Sequence, residues 1–147
     1  MAGFTAGVQI SRTPDEVWRW ITGERDVKAW NPAILEFEKL TPGPVGLGTK
    51  FKETRLCGKR KQTAVVEVTE SEEGILHAGT VKMAGITGTY RYWLEPADGG
   101  THVRLEAEVK GNFFMKLFVP MIVKGMKKQD GDQLERLKKA IEASSRA

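Results

Sequence analysis

Glu53 and Arg55 stand two residues apart in a stretch, Thr49 to Leu56, that reads as a β-strand. Two-residue alternation places both on the same face as Phe51. If Phe51 points into the protein, a carboxylate and a guanidinium follow it toward a cavity or its mouth. There they must pair with each other or with a polar group of a bound molecule, because an unpaired buried charge is costly. At a strand end both would reach water instead. In the interior, Arg55 is suited to grip a carboxylate or polarise a carbonyl, and Tyr90 or Tyr92 to donate a hydrogen bond or a proton. Asp130, between Met126 and Leu134 on the inward stripe of the last helix, raises the same question.

Other chemistries lack their residues. His77 and His102 lie on different strands with no ligand-type spacing to a cysteine or carboxylate, which argues against a metal site or a histidine-based triad. Cys57 is the only cysteine, so no internal disulfide is possible. Ser11, Ser71, Ser144 and Ser145 fall before a helix, in a turn and in the tail, and none reads as a nucleophile. Gly46-Leu47-Gly48 leads into a strand and lacks the remainder of a phosphate loop. No cofactor is expected. Lys59, Arg60 and Lys61, with Lys50 and Lys52, read as a solvated turn, and no aromatic RNA-binding motif accompanies them, so no specific nucleic-acid partner is expected.

The elements that must position these side chains follow from pattern. The 147 residues suit one domain, 1–147, burying roughly two-thirds of the unfolded chain's surface. A net charge of +4 suits anionic partners without requiring them. The N-terminus shows no signal peptide, and Phe113 to Met126, interrupted by Lys116 and Lys124, is too short to span a bilayer, so a cytoplasmic location is expected. Phe4 to Ile10 alternates as a strand. Thr13, Pro14 and Glu16 form a helix start with a capping box, Gly23 is a plausible stop, and a second short helical segment is expected over Arg25 to Trp30. Strands follow at Ile34 to Lys39, Thr49 to Leu56, Gln62 to Thr69, Ile75 to Lys82, Thr87 to Glu95 and His102 to Lys110. In the last pair Tyr90, Tyr92 and Leu94 share one face, and Val103, Leu105, Ala107 and Val109 face inward. A long helix covers about Met115 to Ser144, starting near Phe118 because of Pro120.

This order predicts an α+β protein in which a curved antiparallel sheet is closed by the C-terminal helix, about 40 Å long at 1.5 Å per residue. The first half of that helix is apolar over most of its circumference. Gly125 lies there, on the side of Phe118, Met121 and Ile122, where alanine would favour the helix by about 1 kcal/mol. Either space for a ligand or close approach of a strand accounts for it. Gly131 projects elsewhere and reads as a weak point. Phe113 and Phe114, flanked by Lys110 and Lys116, form a gate or a membrane-docking tip if exposed.

The motifs carry a family likeness. Thr13 to Trp18, Trp30-Asn31-Pro32, Gly46 to Phe51, Leu94 to Thr101 and Leu134 to Glu142 together resemble the START-like (SRPBCC) superfamily, most closely its polyketide cyclase/dehydrase-like family, over nearly the whole chain. The resemblance implies a helix-grip fold of about seven strands, two short helices after the first strand, and a deep hydrophobic cavity between sheet and long helix. It implies binding or carriage of a lipid-like or aromatic small molecule, or alternatively a cyclase/dehydratase-like enzyme in which Arg55, Glu53, Tyr90 and Tyr92 orient a poly-carbonyl substrate. The expected pocket comprises Trp30, Phe37, Phe51, Tyr90, Tyr92, Leu94, Leu105, Phe114, Phe118, Ile122, Gly125 and Met126. Membrane contact, if any, is expected to be transient. Oligomeric state is not legible.

Overall fold

The computed structural model describes residues 2–23 and 27–144. Strand β1 (Gly3–Ile10) is followed by helix α1 (Pro14–Ile21), a 3-10 turn (Val27–Ala29), and strands β2 (Ile34–Lys39), β3 (Lys50–Cys57), β4 (Arg60–Glu72), β5 (Leu76–Met83), β6 (Ile86–Ala97) and β7 (Gly100–Gly111). A 3-10 turn (Lys116–Phe118) then leads into helices α2 (Val119–Asp130) and α3 (Gln133–Ala143). The seven strands form one antiparallel sheet in the order β1-β7-β6-β5-β4-β3-β2. The fold is the helix-grip arrangement, a curved sheet with a long C-terminal helix on its concave side.

The local signals act as their chemistry requires. The Thr13 side chain accepts a hydrogen bond from the Glu16 amide, Pro14 opens α1, and Gly23 leaves it at φ +88°, a conformation unstrained only for glycine. The β6–β7 connection is tighter than Pro96 to Gly100. Only Asp98 and Gly99 turn, both at positive φ, as a two-residue hairpin needs. Ala84 and Gly85 make the equivalent turn between β5 and β6.

One expectation is met and one changes. The second short helical segment, expected over Arg25 to Trp30, is present as a 3-10 turn, Val27–Ala29, with Arg25 and Asp26 outside the described residues. The long C-terminal helix is interrupted at Gly131 and Asp132, where Asp132 leaves helical geometry at φ −109° and ψ 14°. The weak point read at Gly131 is thus a break. It divides a segment with little burial, α2, from one whose inward face is fully packed, α3.

The core gathers at the α3 end. Ile10, Val17, Leu105, Leu137 and Ile141 are inaccessible to solvent and pack with Trp18, Trp30, Tyr92, Leu94, Val103 and Leu134. Toward α2 the concave side is looser. The register places Val66, Val81, Gly88 and Val109 in one row across the sheet from Phe51, yet Val66, Val81 and Gly88 are only half-buried, as are Ile122 and Met126 of α2. Among the described residues no helix is long and apolar enough to cross a membrane.

Candidate functional site

Where the packed half of the interior meets the looser half, two strands and both parts of the last helix bring charged and hydroxyl groups together. Strand β3 projects Phe51, Glu53 and Arg55 to the concave side, as two-residue alternation dictates. Arg55 reaches across to the end of α2. Its Nη1 donates to Asp130 Oδ2 at 3.0 Å and to Gln129 Oε1 at 2.9 Å, while its Nη2 donates to Glu53 Oε1 at 3.1 Å. On β6, Tyr90 donates its hydroxyl to Asp130 Oδ2 at 2.6 Å. One turn along the helix axis, Tyr92 donates to Gln133 Oε1, also at 2.6 Å. One guanidinium thus faces two carboxylates, with one phenol on Asp130 and a second beside it on Gln133.

The electrostatics follow from burial. Asp130 is only 1% exposed, and the Glu53 and Arg55 side chains retain 14% and 18%. Burial alone would lower the Arg55 pKa, but the attraction of Glu53 and Asp130 outweighs it and holds the guanidinium above its ordinary range. Burial, then the adjacent Asp130 charge, raises the Tyr90 phenol, and the same two causes raise Tyr92. Both tyrosines therefore remain protonated donors at neutral pH. Among the described residues, three buried polar atoms of the cluster have no hydrogen-bond partner: Asp130 Oδ1, Gln133 Nε2 and Arg55 Nε. One acceptor and two donors are therefore unspent in a place where leaving such groups unmade is costly.

Beside the cluster, the His77 ring stacks near Tyr92 (6.4 Å) and meets Trp18 edge-on (5.9 Å), and desolvation lowers its pKa from 6.5 to about 4. The unfolded chain binds the proton more readily between those values. The associated stability is complete above about pH 6.5 and is lost as pH falls through 4, a change of about 3 kcal/mol. Urea titrations across that window should show this slope in the parent protein and a flatter one in His77→Phe.

The expected pocket residues divide into four groups. Trp30, Tyr92, Leu94 and Leu105 belong to the packed core, with Trp30 edge-on to Tyr92. Phe37 and Phe51 stack at 4.6 Å and line a cleft of about 280 Å³ with Gly23, Lys39 and Gly43 to Val45. Tyr90, Ile122 and Met126 border the looser half, with Tyr90 and Met126 also touching the core. Phe114 and Phe118 are exposed, and Gly125 faces outward, where an added Cβ would meet nothing within 4 Å. Close approach of a strand is therefore not the reason for that glycine. On the inner face of β6, a Cβ at Gly88 would likewise meet nothing within 4 Å.

Sequence reasoning paired Glu53 with Arg55 and singled out Asp130, but missed Gln129 and Gln133. A signal for Gln133 existed: it lies three residues after Asp130 and four before Leu137, on one helical stripe. Among the described residues no group of three or more His, Cys, Asp or Glu side chains is arranged to hold a metal ion.

Comparison with known proteins gives the family and the fold. The family model described as polyketide cyclase / dehydrase and lipid transport matches residues 1–142. Among solved structures, TTHA0849 from Thermus thermophilus superposes with a TM-score of 0.76 at 17% identity, covering 97% of this chain and 98% of that one. Protein MLL2253 from Mesorhizobium loti gives 0.73 at 19% identity, covering 97% and 98%. Truncated norcoclaurine synthase from Thalictrum flavum gives 0.71 at 14% identity, covering 97% and 94%. At these identities the likeness is one of fold. No curated protein sequence matches the chain.

Proposed function

The chain belongs to the polyketide cyclase / dehydrase and lipid transport family, and we propose that it binds or carries a lipid-like or aromatic molecule with one polar end. The polar end meets the Arg55–Asp130–Tyr90 cluster, and the apolar body lies in the looser half of the interior, between Val66, Val81 and Gly88 of the sheet and Ile122 and Met126 of α2. The observation that carries this reading is the set of unspent polar atoms, Asp130 Oδ1, Gln133 Nε2 and Arg55 Nε, at the border of an apolar region. A ligand hydroxyl or carboxylic acid group supplies the complementary donor and acceptor. Pockets of this kind are mostly apolar, with a few convergent polar groups fixing orientation.

Native mass spectrometry of freshly purified protein, followed by organic extraction, tests it. The expected result is a retained apolar compound, with Asp130→Asn and Arg55→Met retaining several-fold less. A protein that neither retains nor takes up fatty acids or polycyclic aromatics would sink the proposal.

One observation favours a second reading, an enzyme of the cyclase/dehydratase type. Arg55 and Tyr90 converge on a single carboxylate oxygen, so a substrate carbonyl displacing Asp130 from either donor would meet a cation and a protonated phenol together. Incubation with a synthetic poly-β-ketone distinguishes the two readings. Cyclised aromatic product lost in Arg55→Met supports catalysis, whereas binding without turnover supports carriage.

A further inference from the structure

The segment after β7 carries an exposed apolar surface that the interior does not use. Phe113 is 86% exposed and Leu117 87%, with Phe114, Phe118 and Met121 also exposed. Phe113 and Phe114 meet only edge to face at 5.7 Å, forming a two-ring projection. The β5–β6 hairpin tip lies alongside, tied by the Asn112 amide donating to the Gly85 carbonyl at 2.8 Å, and adds exposed Met83. Large apolar side chains gathered in this way are unusual on a protein surface and mark a contact site.

The charge around this surface has one sign. From Lys110 to Gln129 the chain contains five lysines and no acidic residue, and the hairpin from Thr80 to Thr89 contains Lys82 and no acidic residue. Apart from Lys110, which pairs with Glu108, these lysines make no ion pair among the described residues. Their placement is ordered along α2. Leu117 of the preceding 3-10 turn and Met121, Lys124 and Lys128 of α2 follow one another three or four residues apart, all exposed, apolar first and cationic two turns further on. At 1.5 Å per residue the ammonium groups stand about 5–10 Å behind Met121 along the axis. A recess of about 470 Å³, bordered by Lys82 and Lys110, opens beside the hairpin tip.

We propose that this end of the molecule docks on an anionic lipid bilayer, with Phe113, Phe114 and Leu117 entering the headgroup–acyl boundary and the lysines meeting lipid phosphates. Charge complementarity selects this occupant. A second copy of the chain would bring the same lysines against one another, whereas an anionic membrane attracts each lysine near its surface and accepts the aromatic tip. Docking here does not depend on what the interior holds, and it positions the looser half of the interior at the membrane.

Co-sedimentation of the full chain with vesicles tests this, comparing phosphatidylcholine alone with phosphatidylcholine mixed with phosphatidylglycerol, at low and high salt. Binding is expected only to the mixed vesicles and is expected to weaken with salt. Phe113→Ser/Phe114→Ser and, separately, Lys116→Glu/Lys124→Glu should each weaken it about tenfold or more. Leu47→Ser, which removes a leucine 75% exposed between β2 and β3, should leave it unchanged. All of these side chains are exposed, and an unaltered circular dichroism spectrum and melting temperature confirm that each variant folds. The proposal is overturned by equal binding to neutral vesicles, by no binding to anionic ones, or by an equal effect of Leu47→Ser. It is also overturned if sedimentation velocity finds a dimer that Phe113→Ser/Phe114→Ser dissociates while vesicles are not bound.

Discussion

Asp130→Ala is expected to lower the unfolding free energy by about 4 kcal/mol, because it removes one partner of a buried ion pair and leaves the other desolvated. The carboxylate is 1% exposed and receives both the Arg55 guanidinium and the Tyr90 hydroxyl on Oδ2. Without it, Glu53 and Gln129 still contact Arg55, but Tyr90 loses its acceptor. Urea unfolding monitored by tryptophan fluorescence measures the loss. Exchanging the charges together, as Glu53→Gln, Arg55→Met and Asp130→Leu, should recover most of it, since a buried ion pair and its apolar replacement are often close in energy. The same triple variant should lose ligand retention. That combination, stability restored and binding lost, separates a cluster kept for recognition from one kept for folding. A cost below about 1 kcal/mol for Asp130→Ala would show that water reaches the carboxylate and would remove the basis for its role in recognition.

Leu137→Ala is expected to cost about 4 kcal/mol, the range for a fully buried leucine whose surroundings cannot collapse into the space it leaves. Leu137 has no exposed surface and lies between Leu134 and Ile141 on the inward stripe of α3, against the sheet. Met121→Ala, in α2 and 66% exposed, should change stability by no more than about 0.5 kcal/mol. Equilibrium unfolding of the two variants would place the energetic weight of the C-terminal helix beyond its break. Equal losses would mean that α2 and α3 are packed alike, contrary to the exposure of α2.

The contrast explains how the site is built. α3 and the strands over it form a rigid base, and the Arg55–Asp130–Tyr90 cluster sits at its edge. α2 extends from that edge with its inner side half-buried and its outer side apolar and basic. A break at Gly131 and Asp132 lets the two segments lie differently against the sheet, and glycine weakens the helix there by about 1 kcal/mol relative to alanine.

Much of this was legible in the chain itself, wherever the determinant is local. Thr13, Pro14 and Glu16 start α1 because a capping hydroxyl and a pre-set φ act within four residues. Pro96 to Gly100 reads as a hairpin connection because Asp and Gly tolerate positive φ, although only the structure narrows the turn to Asp98 and Gly99. Alternation alone put Phe51, Glu53 and Arg55 on one face, and Tyr90, Tyr92 and Leu94 on another. The helical stripe from Met126 through Asp130 to Leu134 follows in the same way from a period of 3.6. Tertiary structure decided the rest. Which carboxylate Arg55 would meet depended on a contact between residues 75 positions apart, and no periodicity encodes that distance. The apolar run from Phe113 to Met126 reads equally well as a pocket wall or an exposed tip, because hydrophobicity specifies a need for cover without specifying the cover. Only the packing of α2 turned its Phe114, Phe118 and Gly125 outward, and only the sheet's register brought Arg55 and Tyr90 to the same oxygen.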